Sequence, residues 1–140
     1  MQETTAEWVE KAEEDYGTAK VTLEHGVHIV STVCFHCQQC AEKYLKAFLQ
    51  EKRIGFPRDH ALKPLMKNCA RHDRGFDEID DDLGKLEHYA VVIRYPGAFA
   101  TRDEAEGAFA AATRVRAFVR GKLGLSDEKK NDKPAEGDKA

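Results

Sequence analysis

Apolar residues recur along this chain at spacings of three and four, in five runs separated by short polar or Gly/Pro-containing breaks. Such spacing places the apolar side chains on one stripe of an α-helix. Trp8, Ala12, Tyr16, Ala19 and Leu23 predict a first helix from about Ala6 to Glu24, with Thr4 and Glu7 in a capping-box pattern and Gly26 as its stop. Val30, Val33, Cys34, Cys37, Ala41, Tyr44, Leu45 and Phe48 predict a second from about Ser31 to Lys52, ended by Gly55 and Pro57. On it Glu42 precedes Lys46 by four residues, the spacing of an exposed ion pair.

Leu62, Leu65, Met66 and Cys69 predict a shorter third helix, from about Ala61 to Ala70, with Asp59 as its cap. Pro64 is tolerated there because the first turn has no internal N–H partners. Phe76, Ile79, Leu83, Leu86, Ala90 and Ile93 predict a fourth from about Asp77 to Ile93, with acidic residues at its favourable N-terminal end and Pro96-Gly97 beyond it. Thr101 and Glu104 form a second capping-box pattern. It opens a fifth helix through Ala105, Ala108, Phe109, Ala112, Val115, Val119 and Leu123, closed by Gly124. No strand pattern competes. The expected fold is all-α: an up-down antiparallel four-helix bundle with an additional short helix, five helices in all, over residues 1–124. Residues 125–140 are rich in Lys, Asp, Glu, Pro and Gly, too polar to offset the entropy of ordering, and are expected to be a disordered charged tail.

Composition narrows the function classes more than it selects one. At 140 residues, one domain is expected, long enough to bury a core without disulfides or metal. The formal net charge of −3 gives no general field toward nucleic acid. No apolar run approaches the ~20 residues of a membrane span, and the polar start Met1-Gln2-Glu3-Thr4-Thr5 lacks the chemistry of a signal peptide, so a cytoplasmic location is expected. Three of the four cysteines crowd one predicted helix, which argues against a disulfide framework.

Four segments carry a family resemblance. The run from Cys34 through Gln38-Gln39-Cys40-Ala41-Glu42-Lys43-Tyr44-Leu45-Lys46-Ala47-Phe48-Leu49 resembles the hallmark second helix of HEPN domains. Trp8 to Tyr16 resembles that family's opening, His60-Ala61-Leu62 the start of its third helix, and Arg94-Tyr95-Pro96-Gly97 the end of its fourth. The resemblance implies a small helical bundle that dimerises. It also implies pairing with a minimal nucleotidyltransferase in a toxin–antitoxin-like system, and nucleotide binding. Some members are metal-independent ribonucleases that use Arg, a short spacer and His near the fourth helix. Here Arg94 is followed by Tyr95-Pro96-Gly97-Ala98-Phe99-Ala100-Thr101, with no histidine. Arg53 and His60 have a similar separation but fall in the connection between the second and third helices.

Residue chemistry offers three candidate sites. Cys34, Cys37 and Cys40 have spacings seen in metal sites, but they fan from the centre of a helix's apolar face to its flank. A fourth ligand, Cys69 or His36, would have to be steered in. Core packing is the expectation, with no metal and no cofactor. The opposite side of the second helix carries His36, Gln39, Lys43, Lys46 and Gln50. That side is either a solvated face or a face toward a partner or an anion. Lys43, His60, Tyr89, Arg94 and Tyr95 form a candidate ligand set: Arg94 can fork onto a phosphate, a tyrosine can stack on a base, and His60 stands at a helix start. Asp15 is expected to pair with a basic residue on a neighbouring helix, and Asp80-Asp81-Asp82 to be a solvated helix start.

The expected function is a non-catalytic domain of HEPN type, homodimeric, that binds a minimal nucleotidyltransferase or a nucleotide-like ligand. The alternatives are a ribonuclease toxin with Arg94 on the phosphate and a histidine recruited from elsewhere, and a helical interaction module without ligand.

Overall fold

The fold comes from a computed structural model, which describes residues 1–26, 28–58, 61–92 and 95–126. Five α-helices follow one another: α1 (Glu3–His25), α2 (Val30–Glu51), α3 (Leu62–His72), α4 (Asp80–Val92) and α5 (Arg102–Lys122). No strand occurs among the described residues. No helix among them is long and apolar enough to cross a membrane.

The four long helices form an up-down antiparallel bundle with α2 at its centre, packed on α1, α3, α4 and α5. Side-chain ties fix the two ends. At one, Gln2 donates from its backbone N to Glu51 Oε1 at 3.0 Å, and Lys122 bridges to Asp73 at 2.9 Å. At the other, the Ala100 N–H donates to Ser31 Oγ at 2.9 Å, joining the α4–α5 connection to the first turn of α2. The core is the expected set of stripes: Ala12 and Ala19, Val33 to Leu49 on the inner side of α2, Leu62 and Leu65, Leu83 and Leu86, and Ala105 to Val119 on α5. Burying such side chains contributes about 1.5–3 kcal/mol for each large one.

Helix termini depart from expectation in instructive ways. Thr101 and Glu104 do form the reciprocal capping box of α5. Thr4 and Glu7 do not form one, because α1 begins two residues earlier, with Gln2 at the N-cap position and no side-chain cap. The predicted start of the fourth helix is a separate 3-10 turn, Arg74–Ile79, capped by Asp73 accepting from the Gly75 N–H; the α-helix begins only at Asp80. The end of α2 is set before Gly55 is reached. Arg53 takes φ 60, its N–H donates to the Gln50 carbonyl, and the Ile54 N–H donates to the Leu49 carbonyl. That is the Schellman pattern with Arg in the left-handed position. Helix α5 ends the same way with the expected glycine: Gly124 has φ 77, its N–H donates to Gly121 and the Leu125 N–H to Arg120. The Asp59 cap, and the tail beyond Ser126, lie outside the described residues.

Candidate functional site

The polar side of α2 is built around one carboxylate from α1. His36 and Lys43 are seven residues apart and share a face, and α1 runs antiparallel beside it. Asp15 therefore reaches both: Oδ1 lies 2.7 Å from His36 Nδ1, and Oδ2 accepts from Lys43 Nζ at 2.5 Å. The expected basic partner of Asp15 is thus a pair of partners. The carboxylate is nearly buried, whereas the His36 and Lys43 side chains keep about a quarter of their surface in solvent, 25% and 23%. An imidazole held through Nδ1 presents its Nε2 edge away from the carboxylate. Phe35 stands edge-on to the His36 ring at 5.2 Å and is itself exposed. Gln39, between His36 and Lys43, donates to Gln38 Oε1 at 2.8 Å and to Glu42 Oε1 at 3.2 Å.

Lys46 does not belong to that face. The sequence predicts an exposed pair with Glu42, but both side chains are almost wholly buried, and Lys46 Nζ donates to Glu42 Oε2 at 2.8 Å. The lower part of α1 and the segment after α2 cover it. Trp8 and Phe56 put their ring centroids 5.2 and 5.9 Å from Nζ, a cation–π sandwich over a buried ion pair. Gln50 is also engaged, donating to Gln2 Oε1 at 3.2 Å.

A second polar cluster, not anticipated from the sequence, lies inside the bundle. Both oxygens of Glu13 accept from Arg116, at 2.6 and 2.9 Å, and Tyr44 donates its hydroxyl to the same carboxylate. Arg120 donates to Tyr44 Oη at 3.1 Å and to the Ser126 carbonyl. Burial works against the Glu13 charge, but the hydrogen bonds from Arg116 and Tyr44 outweigh it and hold its pKa below the ordinary carboxylate range. Burial and the Glu13 contact push the Tyr44 hydroxyl up, so it serves as a neutral donor. The available sequence signal was Arg116 and Arg120, one turn apart and each next to a buried valine of α5.

The three described members of the candidate ligand set stand apart. Tyr89 is half-buried with its hydroxyl directed at Gly107 of α5, Tyr95 stands exposed after α4, and Lys43 is tied to α1. His60 and Arg94 lie outside the described residues. All four cysteines are free thiols buried in the core. Burial pushes the Cys34 thiol up to about 11 and that of Cys69 up to about 12, and raises Cys37 and Cys40 further. Among the described residues no group of three or more His, Cys, Asp or Glu side chains is arranged to hold a metal. The acidic start of α4 is partly engaged: Asp82 Oδ1 accepts twice from Arg114, at 3.0 and 2.8 Å.

Comparison with known proteins places this geometry. A family model described as the HEPN domain matches residues 5–122. The crystal structure of TT1696 from Thermus thermophilus superposes with a TM-score of 0.74 at 24% identity, over 87% of this chain and 100% of that one. The crystal structure of ST0689, an archaeal HEPN homologue, superposes with a TM-score of 0.65 at 25% identity, over 88% of this chain and 99% of that one. No curated protein sequence matches.

Proposed function

The chain belongs to the HEPN domain family, and from that premise we propose that it acts as a non-catalytic, homodimeric binding subunit for a partner protein of the minimal nucleotidyltransferase type. The observation that carries this reading is the sequence after Arg94, where the histidine of the family's ribonuclease pair is missing through Thr101. Without a base at that position, Arg94 can hold a phosphate but has no neighbour in the motif to move a proton.

The binding face we assign is the outer side of α2, reduced to His36, Gln39 and Lys43. Its electrostatics favour a protein over a free nucleotide. Asp15 offsets the charge of Lys43 at 2.5 Å, and Lys46, the other cation expected there, is buried against Glu42. What remains is a partly exposed, hydrogen-bonding surface flanked by Phe35, the mixture typical of protein interfaces. A nucleotide-like ligand at His60, Tyr89, Arg94 and Tyr95 is the secondary reading, supported by the arginine and the exposed Tyr95 ring.

Affinity purification of the protein from its native cell, with bound protein and nucleotide identified together, tests both. Recovery of a nucleotidyltransferase that is lost with Lys43→Glu supports the first. RNA cleavage that disappears in Arg94→Ala while the fold survives would overturn the non-catalytic reading. Titration with ATP and GTP that gives neither heat nor a thermal shift removes the nucleotide part alone.

A further inference from the structure

Charge is distributed unevenly along this chain. Between Lys52 and Arg74 the sequence holds seven Lys and Arg residues and two carboxylates, Asp59 and Asp73, a formal +5 within a protein whose total is −3. Helix α3 lies inside that segment and contains no acidic residue. Its Leu62, Leu65 and Cys69 are buried against the bundle. Lys63, Lys67 and Arg71 stand four residues apart on the same helix and are exposed, so they form one row on one face. At the helical rise the row is about 12 Å long. Asp73 is already bridged to Lys122. None of the three cations of the row forms an ion pair with another described residue, and Arg71 donates only to Asn68 Oδ1, at 3.3 Å.

We infer that α3 is a docking face for an acidic, helical segment of another protein. The face is separate from the α2 surface proposed above and does not rest on that reading. Spacing selects this occupant first. Carboxylates at every fourth position of a partner helix repeat at about 6 Å, the same interval as the cations of α3. The margin of the row selects it again. Met66 and Ala70 each precede a cation of the row by one position, are half-buried, and pack on the edge of the core. An apolar strip therefore runs beside the charges. An amphipathic partner covers both, with its carboxylates on Lys63, Lys67 and Arg71 and its apolar side chains on Met66 and Ala70.

A phosphate chain fits the same charges less well. Helix α3 carries no Phe, Tyr or Trp on which a base could stack. Beyond the helix the chain turns through Asp77, Glu78, Asp80 and Asp81, all exposed, which repel a polyanion that runs past the end of the row. A short acidic helix ends before it meets them. Because the three cations are exposed, they steer the encounter from solution, and the contact is sensitive to salt.

Fluorescence anisotropy of the full chain with a labelled helical peptide, Glu at every fourth position and Leu beside each Glu, tests the proposal. Saturable binding is expected. Lys63→Glu with Lys67→Glu is expected to weaken it about tenfold or more. Lys11→Glu with Lys20→Glu makes the same change of charge on the exposed side of α1 and is expected to weaken it less than about twofold at physiological salt. A peptide of the same composition, with Glu and Leu scrambled off their faces, is expected to bind about tenfold more weakly than the ordered one. Both α3 lysines are exposed, so helical circular dichroism should be unchanged in the double variant. Should the glutamates unfold the chain, Lys63→Gln with Lys67→Gln carries the comparison. Absence of saturable binding, equal binding of the scrambled peptide, or an equal loss in the α1 variant overturns the proposal. A uridine oligonucleotide that binds more tightly than the peptide and is lost with the same two lysines also overturns it, and assigns the row to RNA. A self-associated wild type that falls to the monomer mass with those substitutions does so too, and assigns the row to a second copy.

Discussion

Glu13 and Arg116, 103 residues apart in the chain, face each other in the bundle interior through two parallel hydrogen bonds of 2.6 and 2.9 Å. The pair clamps α1 to α5, and Tyr44 of α2 donates to the same carboxylate, so one acid joins three helices. Removing one charge takes from the other its two-bond partner inside the bundle. Arg116→Met or Glu13→Gln is therefore expected to cost about 3–5 kcal/mol, read as a shift in the midpoint of urea unfolding. The double variant Glu13→Met with Arg116→Met is expected to recover part of that loss and not all of it, because Tyr44 and the buried Arg120, 3.9 Å from Glu13, lose the same carboxylate.

The same pair sets a pH dependence. The Glu13 carboxyl is held below its ordinary range in the folded state, so the unfolded chain binds its proton more readily. Its contribution is complete above the unfolded value of about 4.3 and is lost as pH falls below that toward the lowered folded value. Unfolding midpoints measured from pH 6 to pH 3 should fall for the wild type. They should fall less for the double methionine variant.

Periodicity was enough for the helices because each stripe in the sequence corresponds to a face that must be buried. The polar clusters were less legible, and Lys46 illustrates why. At i and i+4, Glu42 and Lys46 look like an exposed pair on any helix considered alone. Only the crossing of α1 and the return of the chain at Phe56 bury them, and both are tertiary facts. A cation for Asp15 is legible in the sequence; that it finds His36 and Lys43 together depends on the antiparallel register of α1 on α2.

Lys46→Ala consequently discriminates between the two environments. An exposed i,i+4 pair is worth about 0.3–0.5 kcal/mol. Removing Lys46 takes the ammonium away from the buried Glu42 carboxylate and from between Trp8 and Phe56, and a loss larger than that of an exposed pair is expected. Thermal unfolding of Lys46→Ala beside Lys43→Ala checks this, with Lys46 the larger effect.

Core burial also fixes the chemistry of the cysteines. All four side chains are buried, and their thiols are held well above the ordinary range, Cys34 up to about 11 and Cys69 up to about 12. Thiolate is the reactive form, so at pH 8 the folded protein should react with Ellman's reagent only through opening of the bundle. Counting released thionitrobenzoate should give no fast equivalents in buffer and four in 6 M guanidinium. Any fast-reacting thiol in the native protein would contradict the packing of α2 or, for Cys69, of α3.

Arg53 offers a stabilising substitution. It closes α2 in the left-handed conformation, φ 60, with both Schellman hydrogen bonds formed. For a residue with a Cβ this conformation costs roughly 1–2 kcal/mol, and glycine adopts it freely at the expense of a more flexible unfolded chain. The side chain is exposed and no hydrogen bond or ion pair involving it is found among the described residues. Arg53→Gly is therefore expected to stabilise the protein by about 0.5–1 kcal/mol, raising Tm by a few degrees. Arg53→Val, β-branched at the same φ, should lower it. If Arg53→Gly lowers Tm instead, the Arg53 side chain contributes packing or charge that outweighs the backbone strain.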